Sequence, residues 1–287
     1  MIDVLPARHP FLTAAPGPLA FAHRGGSLGG PENSLPAFAR ALGLGYRYLE
    51  TDVRATSDGV LIAFRDSRLE RATDSGGTVD ELPWRAVRTA RLAGRERIPR
   101  FEELLDAFPE ARFAVDLGTD AAVRPFAAAV RRAGAWERVC ATSWSDARLA
   151  AAREAAGPRL ALGLGRRAML GLRLRALPGV PGAVPVDRLL GRALRRGAVC
   201  VQIPAGMADP RFVRLAHRLG LQAHARSAGD RREIGELLDR GVDGLIADRI
   251  DVLRAALRAR GLWAEPAGGA RVGPERKAEE GEGRISD

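Results

Sequence analysis

The chain has 287 residues, 46% of them hydrophobic, which suits one large α/β domain or two smaller ones. Its formal net charge is +10, and Lys277 is the only lysine among 45 basic residues. The arginines are spread along a chain rich in alanine and glycine, without a zinc-finger spacing, an aromatic RNA-binding motif or a concentrated basic helix, so we expect no nucleic-acid partner.

The cysteines and the apolar runs bear on where the protein works. Cys140 and Cys200 are the only cysteines and lie in separate apolar runs, which indicates a reducing compartment rather than a disulfide scaffold. The first residues lack a basic segment followed by an unbroken apolar one, and no apolar run is long enough to cross a membrane. We therefore expect a cytoplasmic protein.

From residue 19 to about residue 262, short apolar runs alternate with amphipathic segments. The predicted strands are, in chain order, LAFAH, YRYLETDV, VLIAF, RFAVDLG, RVCATSW, RLALGLG, AVCVQIPA, LQAHARS and VDGLIAD. The predicted helices are NSLPAFARALGLG, FEELLDAF, DAAVRPFAAAVRRAG, SDARLAAAREAAG, PRFVRLAHRLG, REIGELLDRG and IDVLRAALRARG. This alternation predicts a parallel sheet with helical crossovers, either an open doubly wound sheet or a closed (β/α)8 TIM barrel.

A barrel needs eight strands, and the pattern offers nine. The run VLIAF follows its predecessor after the turn at residues 56–59, which is too short for a helical crossover. That run would then be a hairpin excursion, although the pattern alone leaves open which strand is the extra one.

The chain divides into a proline-rich lead-in over residues 1–18, a barrel-like domain over 19–263, and a tail over 264–287. The tail is rich in glycine and charge and almost free of apolar residues, which predicts disorder. Residues 166–197 combine arginine with leucine and interrupt the alternation. They form either a small insertion in an ordinary crossover or a segment that contacts an anionic membrane surface.

Polar residues gather where the predicted strands end, which in a barrel is the face that carries function. These residues are His23, Arg24, Glu50, Asp52, Arg65, Asp66, Asp116, Ser143, Gln202, His224, Arg226 and Asp248. A histidine beside an arginine and two glycines suggests proton transfer next to a phosphate or carboxylate clamp. The acidic residues read either as a solvated strand face or as an oxygen-rich site for Mg²⁺ or Ca²⁺.

A more specific signal lies in the order of several motifs. The strings FAHRGG, PENSLPAFARALGLGYRYLETDVRATSDGVLIAFRD, RFAVD, RVCATSWSD and GVDGLIADRIDVL resemble the glycerophosphodiester phosphodiesterase family in order, from about residue 19 to about residue 262. The resemblance implies a TIM barrel that uses Mg²⁺ or Ca²⁺. It also implies hydrolysis of a small-molecule glycerophosphodiester to glycerol 3-phosphate and an alcohol.

The resemblance also implies roles for individual residues. His23 matches the first catalytic histidine of the family, and Arg24 matches the neighbouring phosphate-binding arginine. Glu50 and Asp52 match two metal ligands, and Asp116 lies where the family has a third carboxylate, commonly glutamate. Glu32 and Asn33 match the PEN motif beside the site.

Four positions depart from the family pattern. Arg65 stands where the family has its second catalytic histidine, and Gly118 stands where a lysine usually follows the third carboxylate. Arg226-Ser227-Ala228 replaces a tryptophan-threonine-valine run, and Ala247-Asp248 replaces Thr-Asp. We expect Arg226 to bind phosphate together with Arg24. Arg65 cannot exchange a proton near neutral pH, but it can neutralise charge on phosphate oxygens.

Two hypotheses about function follow. The first is a metal-dependent phosphodiesterase with altered acid–base chemistry; the second is a weak or inactive barrel that binds phosphodiesters or anionic lipid head groups. We favour the first because all three carboxylates are retained, and a pure binding module gains nothing from burying unpaired acids. His224 is either a substitute proton donor or a packed histidine, and we expect the latter.

Overall fold

The computed structural model describes residues 9–13, 17–26, 28, 30–177, 186–227 and 229–264. The expected disorder of the tail falls on residues outside this part of the chain, apart from Ala264. The same holds for most of the proline-rich lead-in.

The strands form one closed parallel barrel with short antiparallel additions. Their bounds are β1 Leu19–His23, β2 Tyr48–Ala55, β3 Leu61–Ala63, β4 Arg91–Leu92, β5 Glu96–Arg97, β6 Arg112–Leu117, β7 Val139–Thr142, β8 Ala161–Gly163, β9 Ala198–Pro204, β10 Gln222–Ser227 and β11 Gly244–Ala247. β1 pairs in parallel with both β2 and β11, so the first and last strands close the ring. Around it the order continues through β6, β7, β8, β9 and β10, which confirms the predicted (β/α)8 barrel.

The ninth predicted strand is a hairpin arm, not a barrel strand. β3 pairs antiparallel with the upper half of β2, with Val53 opposite Ala63 and Ala55 opposite Leu61. This confirms the prediction for VLIAF, since a parallel pairing needs a longer connection. Residues from β3 onward bury a small core of their own, centred on Ile62 and Phe64, which holds the hairpin against the barrel rim.

The helices cover the outside of the barrel. Their bounds are α1 Leu35–Gly43, α2 Trp84–Val87, α3 Phe101–Ala107, α4 Val123–Arg132, α5 Asp146–Ala156, α6 Arg166–Ala176, α7 Val186–Arg195, α8 Pro210–Arg218, α9 Arg231–Asp239 and α10 Ile250–Ala259. Capping fixes several starts: Ser34 Oγ accepts from the Ala37 amide, and Ser145 Oγ accepts from the Arg148 amide. These caps confirm two predicted helix starts.

A short segment from the predicted lead-in closes the lower end of the barrel. Residues 10–12 form one 3₁₀ turn, and Phe11 is fully buried against the ring of Tyr48. The Tyr48 hydroxyl donates to the Phe11 carbonyl oxygen at 2.7 Å. The barrel interior above this plug contains Phe21, Cys140 and Cys200, so the lower half is a packed core and not a channel.

The interruption predicted at residues 166–197 is a two-helix crossover between β8 and β9. α6 buries Met169 and Leu172 against the barrel, while Leu170 and Leu177 are 50% and 49% exposed. Within the described part of the chain, no helix is both long enough and apolar enough to span a membrane.

Candidate active site

The upper ends of the strands surround an open cavity of about 560 Å³. Six of the seven site residues predicted from the sequence line it, namely His23, Arg24, Asp52, Arg65, Asp116 and Arg226. The seventh, Glu50, lies fully buried beside them and contacts both His23 and Arg226. The barrel therefore brings all the predicted residues to one place, while their roles remain predictions.

Three carboxylates lie close together at the base of the cavity. Glu50 and Asp52 are two apart on β2 and so share its inner face, and Asp52 is directly opposite Asp116 across the β2–β6 pair. Burial and the charge of Glu50 raise the pKa of Asp52 from 3.8 to about 6. Burial, together with Asp52 and Glu50, raises the pKa of Asp116 from 3.8 to about 7. The cluster thus holds more negative charge than its surroundings neutralise.

Two arginines partly neutralise these carboxylates. Arg226 donates from Nη2 to Glu50 Oε1 at 3.1 Å. Arg24 places Nε 2.9 Å from Asp52 Oδ2, but the contact lacks hydrogen-bond geometry. Asp52 Oδ2 is therefore a buried oxygen to which no described group donates a hydrogen bond.

The PEN motif holds Arg24 in place from the loop side. Glu32 accepts from Arg24 Nη1 at 2.8 Å and also pairs with Arg71. Burial raises the pKa of Glu32, but the hydrogen bonds from Arg71 and Arg24 outweigh it and lower that pKa. The backbone amide of Asn33 donates to the Arg24 carbonyl oxygen, and the side-chain oxygen of Asn33 accepts from Thr51 Oγ1 at 2.8 Å. The motif thus fixes Arg24, whose backbone has left-handed geometry at φ +51°.

His23 lies between a carboxylate and an arginine, and this decides which ring nitrogen carries the proton. Its Nδ1 lies 2.7 Å from Asp248 Oδ1, and its Nε2 lies 2.9 Å from Arg226 Nη1. Because arginine only donates, Nε2 accepts and Nδ1 keeps the proton that it donates to Asp248. That hydrogen bond lowers the pKa of Asp248. His23 is thereby held with an unprotonated Nε2, which accepts from Arg226 at the edge of the site.

Asp248 was not among the residues assigned a role from the sequence. It follows the end of β11, 225 residues beyond His23, and meets it because β1 pairs with β11. The sequence feature that could have pointed to Asp248 is its position directly after the last predicted strand.

Arg65 lies at the exposed rim of the cavity. Its side chain makes no hydrogen bond or ion pair with the residues that the structure describes. Its carbonyl oxygen accepts from Arg54 Nε at 2.7 Å, and the adjacent Asp66 pairs with Arg71. The rim of the cavity thus carries a cation whose side chain has no partner among the described residues.

His224, considered from the sequence as a substitute proton donor, does not face the cavity. It is fully buried inside the barrel, where its Nε2 lies 2.9 Å from Gln222 Oε1 and its ring packs 4.9 Å from Phe21. It does not line the cavity. The structure confirms the expectation of a packed histidine.

The carboxylate cluster suits a hard divalent cation by residue type. Its donors are all oxygens, and one of them, Asp52 Oδ2, is buried without a hydrogen bond. The raised pKa values of Asp52 and Asp116 indicate that the surrounding positive charge does not fully neutralise the carboxylates. As the side chains stand, however, the described residues contain no group of three acidic, histidine or cysteine residues spaced to hold a metal ion. In this arrangement Arg24 pairs with Asp52 and Arg226 pairs with Glu50.

Comparison with known proteins agrees with this site. The profile of the family described as "Glycerophosphoryl diester phosphodiesterase family" matches residues 23–252. The chain is 39% identical over 254 residues to "Probable glycerophosphodiester phosphodiesterase 2" of Mycobacterium tuberculosis, covering 86% of this chain and 93% of that relative.

Two solved structures share the fold. A putative glycerophosphoryl diester phosphodiesterase from Silicibacter pomeroyi has a TM-score of 0.71 at 24% identity, covering 87% of this chain and 96% of that one. A phosphodiesterase from Oleispira antarctica, solved with the product sn-glycerol-3-phosphate, has a TM-score of 0.69 at 20% identity, covering 84% and 97%. With the family profile and the mycobacterial relative, these findings identify the chain as a member of the glycerophosphodiester phosphodiesterase family.

Proposed function

We propose that this protein hydrolyses glycerophosphodiesters to glycerol 3-phosphate and an alcohol, with a divalent cation, Mg²⁺ or Ca²⁺, held by Glu50, Asp52 and Asp116. The observation that carries the proposal is the juxtaposition of three carboxylates, the fully buried Glu50 and the partly buried Asp52 and Asp116, with a histidine whose Nε2 is unprotonated. When bound, the cation would neutralise negative charge that develops on the phosphoryl group.

The residues of the site divide the remaining work. Arg24 and Arg226 bind the non-bridging oxygens of the phosphate, since guanidinium groups match phosphate geometry and stay charged. When Arg226 turns from His23 to the phosphate, His23 takes up at Nε2 a proton of the attacking water, whose oxygen bonds to phosphorus as the alcohol departs. The imidazolium that forms is stabilised by Asp248 at 2.7 Å and by Glu50 at 3.7 Å.

Arg65 changes the other half of the reaction. Departure of the alcohol needs a proton, and arginine does not release one near neutral pH. Arg65 instead stabilises charge on the phosphoryl oxygens. Loss of a general acid typically costs ~10²–10⁴ in rate, and the cost is smallest for alcohols of low pKa. We infer altered acid–base chemistry with reduced turnover on natural alcohols.

A second candidate function is phosphodiester binding with little or no turnover. The pairing of Arg24 with Asp52 and of Arg226 with Glu50 favours it, because the carboxylates then have counter-charges without a cation. In that case added metal ions would compete with the two arginines and would not complete a catalytic site.

Hydrolysis of two substrates separates these functions. Purified protein is incubated with Mg²⁺, Ca²⁺, Mn²⁺ or EDTA and either glycerophosphocholine or an aryl phosphodiester with an activated leaving group. Metal-dependent release from both supports the phosphodiesterase, and release from the aryl ester alone shows a working metal site without a leaving-group acid. If neither substrate is hydrolysed but the protein still binds the phosphodiester, the result supports the binding barrel. Glu50→Gln is the inactive control, and Asp106→Asn, on an exposed turn of α3, is its matched charge-removing control.

Contact with an anionic membrane and a cytoplasmic location remain proposals. The membrane contact is supported by one stripe of α6, where Arg166, Leu170, Arg173 and Leu177 are spaced four, three and four residues apart and are all exposed. Trp144 is 61% exposed. It lies beside the start of this stripe, since its carbonyl oxygen accepts from the Arg166 backbone amide. Leucine and tryptophan can enter the interface while arginine meets anionic lipid.

A further inference from the structure

Arg54 extends the line of functional side chains on β2. Glu50, Asp52 and Arg54 alternate along the strand, so all three face inward, with Arg54 nearest the mouth of the cavity. Arg54 Nε donates to the Arg65 carbonyl oxygen at 2.7 Å. Its two terminal nitrogens have no acceptor among the residues described, and no described carboxylate lies within ion-pair distance. A half-buried guanidinium group is therefore held in the cavity wall without a direct ion pair among the described residues, and only the more distant carboxylates of Asp80, Asp66 and Asp52 offset its charge.

The glycine at position 118 makes room for this arginine. A Cβ atom placed on Gly118 would lie 3.4 Å from Arg54 Cγ and 3.6 Å from Arg54 Cζ. The side chain of Arg54 thus lies across the end of β6, in space that a longer residue at 118 would share.

Two further arginines of the cavity lack partners in the described part of the chain. Arg65 lies beside Arg54 on the hairpin, and Arg166 begins α6 after β8. The other arginines of the cavity are all engaged: Arg24 with Glu32, Arg226 with Glu50, and Arg148 with Asp120. We call Arg54, Arg65 and Arg166 the arginine wall. It lies on the β2–β8 side of the cavity, whereas Arg226 and Asp248 come from β10 and the end of β11.

One phosphodiester does not account for this much positive charge. A diester group carries a single negative charge, and Arg24 and Arg226, with Arg65 at the rim, already serve it in the proposed reaction. Arg54 and Arg166 add two more guanidinium groups to the same cavity, and these repel Arg65 and one another unless a second anion lies between them. The cavity is also lined by the apolar side chains of Leu164, Met169 and Trp144, against which the carbon skeleton of an alcohol can pack.

We infer that the arginine wall binds a second anionic group, a carboxylate or a phosphate, on the alcohol portion of the substrate. The inference rests on the proposed hydrolysis of glycerophosphodiesters and names the substrate class of that site. Choline, which carries a fixed positive charge, would be the least suitable alcohol.

A matched pair of substrates tests the inference. Glycerophosphoserine and glycerophosphoethanolamine differ only by one carboxylate, so their kcat/KM ratio isolates its contribution. One charge-assisted hydrogen bond to arginine predicts a preference of about tenfold or more for the serine compound. Arg54→Gln and Arg166→Gln should each lower the ratio at least about fivefold. Arg218→Gln, an exposed arginine at the end of α8 and at the opposite end of the barrel, should leave the ratio unchanged.

The outcomes separate the inference from the function on which it rests. If neither compound is hydrolysed under any metal condition, the proposed function fails and the inference with it. Equal kcat/KM values for the two compounds would overturn the inference and leave the phosphodiesterase intact. A preference that survives Arg54→Gln and Arg166→Gln would also overturn it, since the selectivity would then come from another part of the chain.

Discussion

Replacing Asp116 with asparagine should stabilise the metal-free protein. Ionised Asp116 lies buried next to Asp52 and Glu50, and its pKa is about 7 in the folded chain against 3.8 ordinarily. The folded state therefore holds the Asp116 proton more tightly than the unfolded state does. Below about pH 4 Asp116 is protonated in both the folded and the unfolded state, and its carboxyl group costs no stability. As the pH rises to about 7, the free-energy cost of ionising Asp116 in the folded state grows, and above about pH 7 the whole cost is present.

The magnitude follows from the same pKa difference. A rise from 3.8 to about 7, at about 1.4 kcal/mol per unit, sets an upper limit of about 4 kcal/mol on the free energy that Asp116→Asn recovers at pH 8. One kcal/mol changes Tm by ~2–4 °C in a domain of this size. We therefore expect Tm to rise by several degrees at pH 8 in EDTA and by about a quarter as much at pH 4.5.

Thermal unfolding followed by circular dichroism measures this directly, with Mg²⁺ or Ca²⁺ in place of EDTA as the second condition. A divalent cation should raise the Tm of the parent chain and have a smaller effect on Asp116→Asn, because it supplies the missing counter-charge. Asp106→Asn, which removes an exposed charge on α3, should not raise Tm under either condition. An Asp116→Asn protein that melts at or below the parent Tm at pH 8 in EDTA would refute the reasoning.

Three further changes test other parts of the molecule. Arg65→His should raise hydrolysis of glycerophosphocholine by ~10²-fold near neutral pH, with little gain on an activated aryl ester, because it restores a leaving-group acid; equal gains on both substrates would contradict that role. Tyr48→Phe should lower the free energy of unfolding by about 1 kcal/mol in urea titrations, because it leaves the Phe11 carbonyl without its donor; an unchanged midpoint would mean that the plug contributes nothing. Leu170→Ser combined with Arg173→Gln should reduce sedimentation with phosphatidylglycerol-containing vesicles, whereas Arg218→Gln should not; equal sedimentation of all three would exclude α6 as the contact.

The strand–helix alternation was predictable because its signal is local and repeated, whereas the choice of a closed barrel over an open sheet came from the family resemblance. Each strand and helix shows its own periodicity, and the short turn at residues 56–59 favours a hairpin arm for β3. The position of the site followed from the rule that parallel strands present function at their carboxyl ends. Glu50, Asp52 and Asp116 could be placed together on that basis alone.

Other parts depend on contacts that no local pattern encodes. The role of Asp248 depends on closure of the ring, and the fate of His224 depends on its facing the packed lower half of the barrel. Arg54 is one arginine in an arginine-rich chain, and its setting emerges only when Gly118 is seen beside it. The plug around Phe11 comes from a proline-rich segment whose composition resembles that of a linker.

The hydrogen bond between His23 and Asp248 joins the first and last strands of the ring, so it spans almost the whole described chain. Contacts of such long sequence separation form late in folding, since they close the largest loop. Helical circular dichroism recovers as soon as the individual strand–helix units have formed, before the ends of the barrel meet. Recovery of hydrolysis during refolding should therefore lag behind recovery of the helical signal, which makes the active site a reporter of barrel closure.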